Sequence, residues 1–173
     1  MIFVTVGTST QPFDRLLDGV ASFADGDEEV VVQYGASAVR PMGAQCVAFL
    51  GYDEQLEHMR RARAIVTHAG VGSIIAARLM GKRPFVVPRL RELGEAVDDH
   101  QLELARKLDQ AGLVRLVGEP ATLLSALSEE APMVDGHRPE NALVDDVRTY
   151  LLETVAARKR SRVRTSKRTG GGR

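Results

Sequence analysis

Ala64-Ile65-Val66-Thr67-His68-Ala69-Gly70-Val71-Gly72-Ser73 is the stretch on which the fold turns. Ala64–Thr67 has the look of a buried strand, and a helix pattern runs from the glycines to Met80, where Gly81 stops it. The two glycines between strand and helix give the backbone freedom to turn sharply and to approach a ligand closely. The same alternation spreads in both directions. Upstream, Ile2–Val6 is a β-branched run ending at the polar turn Gly7-Thr8-Ser9-Thr10. Phe13, Leu16, Leu17, Val20 and Phe23 then fall on one helical stripe. Glu29–Tyr34 and Cys46–Leu50 are further apolar runs, and Asp53 is placed to cap a helix reaching about Arg63. Downstream, Phe85–Val87 is a strand closed by Pro88, and Asp98 or Asp99 opens a helix to about Gln110. Leu113–Val117 makes a last strand and Pro120–Leu127 a short helix with proline in its first turn.

Continuous apolar strands alternating with amphipathic helices imply an α/β fold, a doubly wound, Rossmann-like parallel sheet covered on both faces. Ligands of such sheets bind outside the C-terminal strand ends. The tips that matter are therefore 7–10, 50–53, 67–73 and 88–101. Asn141–Ala157 is one more helix, with Leu143, Val147, Tyr150, Leu151 and Val155 on one stripe. It either closes the domain or forms part of a partner interface.

The chain has 173 residues and no net charge, yet the charge is divided. Residues 156–173 hold eight Lys and Arg and no acid, whereas 1–155 hold 15 basic and 23 acidic residues. We expect one domain over 1–155 and a basic, disordered tail over 156–173. The tail is suited either to an anionic membrane surface or to a solubilising or nucleic-acid-attracting role. A single cysteine, Cys46, excludes a disulfide framework and a cysteine-based zinc site. No apolar run approaches the roughly 20 residues of a membrane span, and the start lacks the basic region of a signal peptide. A cytoplasmic protein is expected.

At 67–73 the backbone amides and the positive end of a helix dipole suit phosphate oxygens, though a plain strand-to-helix turn has the same composition. The dinucleotide fingerprint is excluded by position and by Ile75 where its third glycine would stand, and a P-loop by Arg83-Pro84 after Gly81-Lys82. Gly7-Thr8-Ser9-Thr10 offers a second cluster of hydroxyls and amides, or caps the next helix. The loop 88–101 carries Arg89, Arg91, Glu92, Glu95, Asp98, Asp99, His100 and Gln101, groups that could hold phosphate charge and sugar hydroxyls or lie solvated. Asp25-Gly26-Asp27 has the form of a metal-holding acid pair but falls at the opposite end of the sheet, where a solvated turn explains it. The four histidines lack ligand spacing and Ser73 lacks a hydrolase elbow, so no metal site is expected.

The order of motifs resembles the C-terminal, donor-binding half of glycosyltransferase family 28, the MurG-like family, and more narrowly its small split subunits of PssE or EpsE type. The residues that carry it are Met1–Thr8 with Pro12-Phe13-Asp14-Arg15-Leu16, then Gln33-Tyr34-Gly35 and Phe49-Leu50-Gly51-Tyr52-Asp53. They continue through Thr67–Ile75, Gly81-Lys82, Pro88-Arg89-Leu90, Gly94-Glu95 and Val97-Asp98-Asp99-His100-Gln101. The resemblance implies one half of a GT-B glycosyltransferase, inverting and metal-independent, taking a UDP-sugar as substrate and no cofactor. It implies that the Leu50 backbone meets uracil, Gly70, Gly72 and Ser73 hold the diphosphate, His100 and Gln101 meet sugar hydroxyls, and Gly7 and Thr8 face the acceptor cleft. Many members place a ribose-binding Glu where this chain has Ala76, for which Glu95 or Asp99 would substitute. Arg89 would relieve charge on the departing UDP, and His68 is a candidate general base or a structural hydrogen-bonder. A membrane-anchored partner at the cytoplasmic face would bring the acceptor half and a lipid-linked acceptor, in polysaccharide or glycolipid synthesis. The competing expectation is a non-catalytic nucleotide-sugar-binding or assembly module, which Ala76 favours.

Overall fold

Ile2–Thr5 forms strand β1, and all four of its residues are buried because it lies in the middle of the sheet. Phe3 pairs in parallel with Val31 of β2 (Val30–Gln33) on one side and with Ile65 of β4 (Ala64–His68) on the other. β3 (Gln45–Val47) extends the sheet beyond β2, while β5 (Phe85–Val87) and β6 (Arg115–Leu116) extend it beyond β4. The order is β3-β2-β1-β4-β5-β6, every pair parallel, in this computed structural model, which describes residues 1–129. This is the doubly wound arrangement expected from the apolar runs, with its strand order reversing between β1 and β4.

The two faces follow from strand alternation. Ile2, Val4, Val6, Val30, Val32, Ala64 and Val66 turn to one side, under Leu16, Leu17 and Val20 of α1 (Asp14–Ala21) and Leu123 and Leu127 of α5 (Leu123–Ser128). Phe3, Val31 and Ile65 turn to the other, under Met59 of α2 (Tyr52–Arg61) and Ala76 and Ala77 of α3 (Val71–Leu79). α4 (His100–Gln110) buries Leu104, Ala105 and Leu108. No described helix is long and apolar enough to cross a membrane.

Two local expectations need correction, whereas the expected opening of α4 at Asp98 or Asp99 holds. α2 starts at Tyr52 on Gly51, whose N–H donates to the Glu54 carboxylate at 2.9 Å, so Asp53 lies inside the first turn and is not the cap. The polar turn 7–10 does not cap α1: that helix starts at Asp14, and the Phe13 N–H donates instead to Ser37 Oγ at 2.8 Å. At α4 the cap position is Asp99, but it is Asp98 Oδ1 that accepts a bond from the His100 N–H, at 3.2 Å. The two edge strands, β3 and β6, are shorter than their apolar runs. The expected helix 141–157, the domain boundary at 155 and the basic tail lie outside the described residues.

Candidate functional site

The loops after β1 and β4 part to opposite faces of the sheet, and the crevice between them is the place where such folds take ligands. His68, the last residue of β4, fills its floor. A Cβ built on Gly7 would stand 2.3 Å from the His68 ring, and one on Gly70 2.1 Å from its Nε2. Both positions are therefore glycine because the imidazole occupies the space. Gly7 also holds a φ of +78°, which disfavours any side chain there. Its N–H donates to Thr5 Oγ1 at 3.1 Å, and the Thr5 hydroxyl donates to Gln33 Oε1 at 2.7 Å, so buried polar groups lock the exit of β1.

Burial and the nearby Arg89 charge lower the His68 pKa to about 4, against a backbone hydrogen bond with Thr5 acting in the opposite sense. An imidazole with so low a pKa is a weak base at neutral pH, which favours the hydrogen-bonding reading of His68, wedged between two glycines, over the general base.

Gly72 contrasts with the other two glycines. It lies in the first turn of α3, is exposed, and a Cβ there would meet nothing within 4 Å. Gly70 caps the helix without a side-chain bond, and the ladder begins only at Ile74, whose N–H donates to the Gly70 carbonyl at 3.1 Å. The amides of Val71, Gly72 and Ser73 precede that first bond, at the positive end of the helix dipole. Glycine at 72 thus answers to no contact among the described residues.

Arg89 has a different place from the one expected. It is 1% exposed, the largest fully buried side chain, and its guanidinium reaches backbone carbonyls. Nη1 donates to Gln11 O (3.1 Å), Pro12 O (2.9 Å) and Glu95 O (3.3 Å), and Nη2 to Val6 O at 3.1 Å. The group also lies 4.6 Å from the Phe13 ring centroid. It cannot touch a phosphate. Glu95 is equally committed: both carboxylate oxygens accept from Arg15 at 2.9 Å, and Oε2 accepts the Leu90 N–H at 3.0 Å. Glu95 is therefore corrected as a ribose-binding substitute.

The remaining candidates ring the same edge. Thr8 is exposed at the tip of the β1 loop, and Asp99 is exposed at the cap of α4. Gln101 Oε1 accepts the Arg89 N–H at 3.3 Å, tying α4 to the end of β5. His100 Nε2 lies 3.4 Å from Asp98 Oδ2 and Nδ1 3.8 Å from Glu103 Oε2. Leu50 sits after β3, two strands from β1, its side chain against the Phe3 and Val31 cluster. Ala76 is buried in that cluster and turns to the sheet. Gly7 and Gly70 thus lie against His68, and Arg89, whose charge is felt at that ring, is hydrogen-bonded to Glu95 and Gln101, whereas Leu50 and His100 stand at the rim.

Asp14, Arg15 and Ser37 were not singled out as site residues. Asp14 Oδ1 accepts the N–H groups of Ala38 (2.7 Å) and Val39 (3.1 Å), binding the loop after β2 to the start of α1. Only the Asp14-Arg15 pair within the quoted motif hinted at them. Asp25 and Asp27 precede β2, at the edge away from these loops. Among the described residues no three His, Cys, Asp or Glu come together as a metal site.

Residues 1–139 match the glycosyltransferase family 28 C-terminal domain. The chain belongs to this family. Among curated proteins, family 28 similarity extends to the UDP-N-acetylglucosamine transferase subunit ALG13 of Yarrowia lipolytica, 30% identical over 122 residues, covering 62% of this chain and 60% of that protein. The human protein of the same name is 32% identical over 123 residues, covering 64% of this chain and 10% of the human one. This chain thus spans less than two thirds of either relative. The fold is shared with the glycosyltransferase of kitacinnamycin (TM-score 0.59, 19% identity, 86% of this chain and 39% of that one). It is shared also with the calicheamicin glycosyltransferase CalG4 (TM-score 0.57, 18% identity, 88% of this chain and 43% of that one). In both solved structures the match covers under half of the solved chain.

Proposed function

We propose that this chain is the donor-binding subunit of a glycosyltransferase that moves a sugar from a UDP-sugar to a lipid-linked acceptor, with a membrane-anchored partner subunit supplying the acceptor half. The observation that carries it is Gly72. Gly7 and Gly70 are explained by the His68 ring, but among the described residues nothing stands within 4 Å of a Cβ at Gly72, in the first turn of α3. A glycine inside a helix costs roughly 0.5–1 kcal/mol relative to alanine, a cost with no return unless something from outside approaches the backbone there. In a family 28 domain, the diphosphate of a nucleotide-sugar has the charge and shape to do so.

The rest of the donor is laid along the same edge. The Leu50 backbone meets uracil, Gly70, Gly72 and Ser73 hold the diphosphate, and His100 and Gln101 reach the sugar hydroxyls. Gly7 and Thr8 face the acceptor, and Asp99 is the carboxylate left to meet the ribose that Ala76 cannot. UDP-N-acetylglucosamine is the donor we infer, from the names of the ALG13 relatives. The departing UDP is met by backbone amides, the α3 dipole and the field of the buried Arg89 charge, in an inverting, metal-independent transfer. With His68 so weakly basic, the base that deprotonates the acceptor hydroxyl comes from the partner. The complex works at the cytoplasmic membrane face in polysaccharide or glycolipid synthesis, and residues 158–173 bring eight positive charges to that surface.

A thermal-shift panel tests the nucleotide: UDP and UDP-N-acetylglucosamine raise the melting temperature at millimolar concentration, whereas ADP, GDP and NAD do not. Equal shifts for all of them would refute a uridine site. Transfer to a polyprenyl acceptor by the pair and by neither subunit alone supports catalysis; undiminished transfer by the partner alone would leave this chain as an assembly module.

A further inference from the structure

The buried guanidinium of Arg89 gathers carbonyls from two separate loops. Val6, Gln11 and Pro12 lie on the loop after β1, and Glu95 lies on the loop after β5. No carboxylate contacts this guanidinium: the Glu95 carboxylate turns to Arg15, which also donates to the Pro88 carbonyl at 2.8 Å. The Arg89 backbone N–H meanwhile holds the Gln101 side chain. Irregular backbone at a strand end leaves carbonyls without ladder partners, and these must find donors. A planar guanidinium with five fixed N–H groups can serve several at once, which an ammonium cannot. Among the described residues Arg89 Nε is buried without a hydrogen-bond partner.

We propose that Arg89 is a positioning residue for the transfer site: it fixes the Gly7–Pro12 loop, which faces the acceptor, against the 89–101 segment, which meets the nucleotide-sugar, so that the two stay in register. The Arg15–Glu95 pair is the outer brace of the same clamp. It joins the first turn of α1 to the loop after β5 through two 2.9 Å contacts and is mostly shielded from water. The clamp acts on Gly7, Thr8 and Gln101, so the proposal rests on the donor-site reading above.

The test uses the full-length chain with Arg89→Lys, Glu95→Gln and, as a control away from the clamp, Arg60→Ala. Urea unfolding first establishes that each variant is fully folded at the working temperature. UDP-N-acetylglucosamine affinity is then measured by isothermal titration calorimetry and backbone protection by amide hydrogen exchange. Arg89→Lys keeps the charge but not the fork, and is expected to raise the UDP-N-acetylglucosamine Kd at least tenfold. Exchange at residues 8–12 and 90–101 should quicken while β1 and β4 stay protected, a local change that loss of overall stability would not produce. Glu95→Gln should show the same pattern, at about threefold in Kd, and decides the matter should Arg89→Lys fail to fold. Folded variants with wild-type Kd, or with wild-type exchange in both segments, overturn the proposal while leaving the donor site intact. A wild-type chain that binds no UDP-N-acetylglucosamine overturns the site reading and the proposal with it.

Discussion

Replacing Gly72 by alanine should make the free protein more stable and the nucleotide-bound protein less so. The added methyl meets nothing within 4 Å and the backbone is already helical, so the free state gains helix propensity without a clash. Gly→Ala within a helix is worth roughly 0.5–1 kcal/mol, which raises the melting temperature of a chain this size by about 1–4 °C. With UDP the balance reverses. The methyl occupies space that phosphate oxygens need to reach the first-turn amides, and one charge-assisted hydrogen bond lost costs roughly 1.5–3 kcal/mol, or about 10–150-fold in Kd. At a UDP concentration of 100 times the wild-type Kd, ligand stabilises the wild type by about 2.7 kcal/mol; a 100-fold weaker variant gains only about 0.4. The two melting curves should therefore change order: the variant melts higher without UDP and lower with it. Thermal unfolding followed by circular dichroism, with and without UDP, reads this directly. A variant with the full wild-type UDP shift would remove Gly72 from the site, and one less stable in the free state would show that the space is not open.

The neighbouring glycines should behave oppositely. Gly70→Ala places a Cβ 2.1 Å from His68 Nε2, so it should cost roughly 1–3 kcal/mol in urea unfolding, and adding His68→Ala should recover part of that loss. Gly7→Ala should be worse, because the positive φ remains strained even without the ring. His68 also predicts a pH dependence. Its folded pKa of about 4 lies below the ordinary histidine value, so the unfolded chain binds the extra proton between pH 6.5 and 4. Its contribution is whole above that window and falls on acidification by up to about 1.4 kcal/mol per pH unit; His68→Gln should flatten that part of the profile. Deleting residues 158–173 should leave the UDP shift unchanged and abolish sedimentation with vesicles rich in phosphatidylserine at low salt, and retained sedimentation would disprove the tail's membrane role.

The sheet was legible because its strands are continuous apolar runs such as Ile2–Val6, buried on both faces, and its helices carry plain stripes such as Leu16, Leu17 and Val20. The tips were legible because glycine marks them. What glycine alone could not reveal was why each is there: Gly7 and Gly70 yield to His68, and Gly72 yields to nothing among the described residues. The loop 88–101 misled for a physical reason. Arg89 and Glu95 sit in a stretch as polar as any solvated loop, and their partners Gln11, Pro12 and Arg15 lie 77 to 80 residues away in the sequence. Only folding brings those carbonyls and that carboxylate into reach, so burial of a charged side chain there leaves no local signature. Capping failed similarly: Asp53 and the 7–10 hydroxyls fit the rule in sequence, but Gly51 with Glu54 and the remote Ser37 took those places.

A crystal structure with UDP bound bears most directly on the claim that α3 opens onto a nucleotide. The account predicts diphosphate oxygens within about 3 Å of the Gly72 and Ser73 amides, with uracil against the Leu50 backbone. A diphosphate held elsewhere, or by side chains while those amides face water, would contradict it.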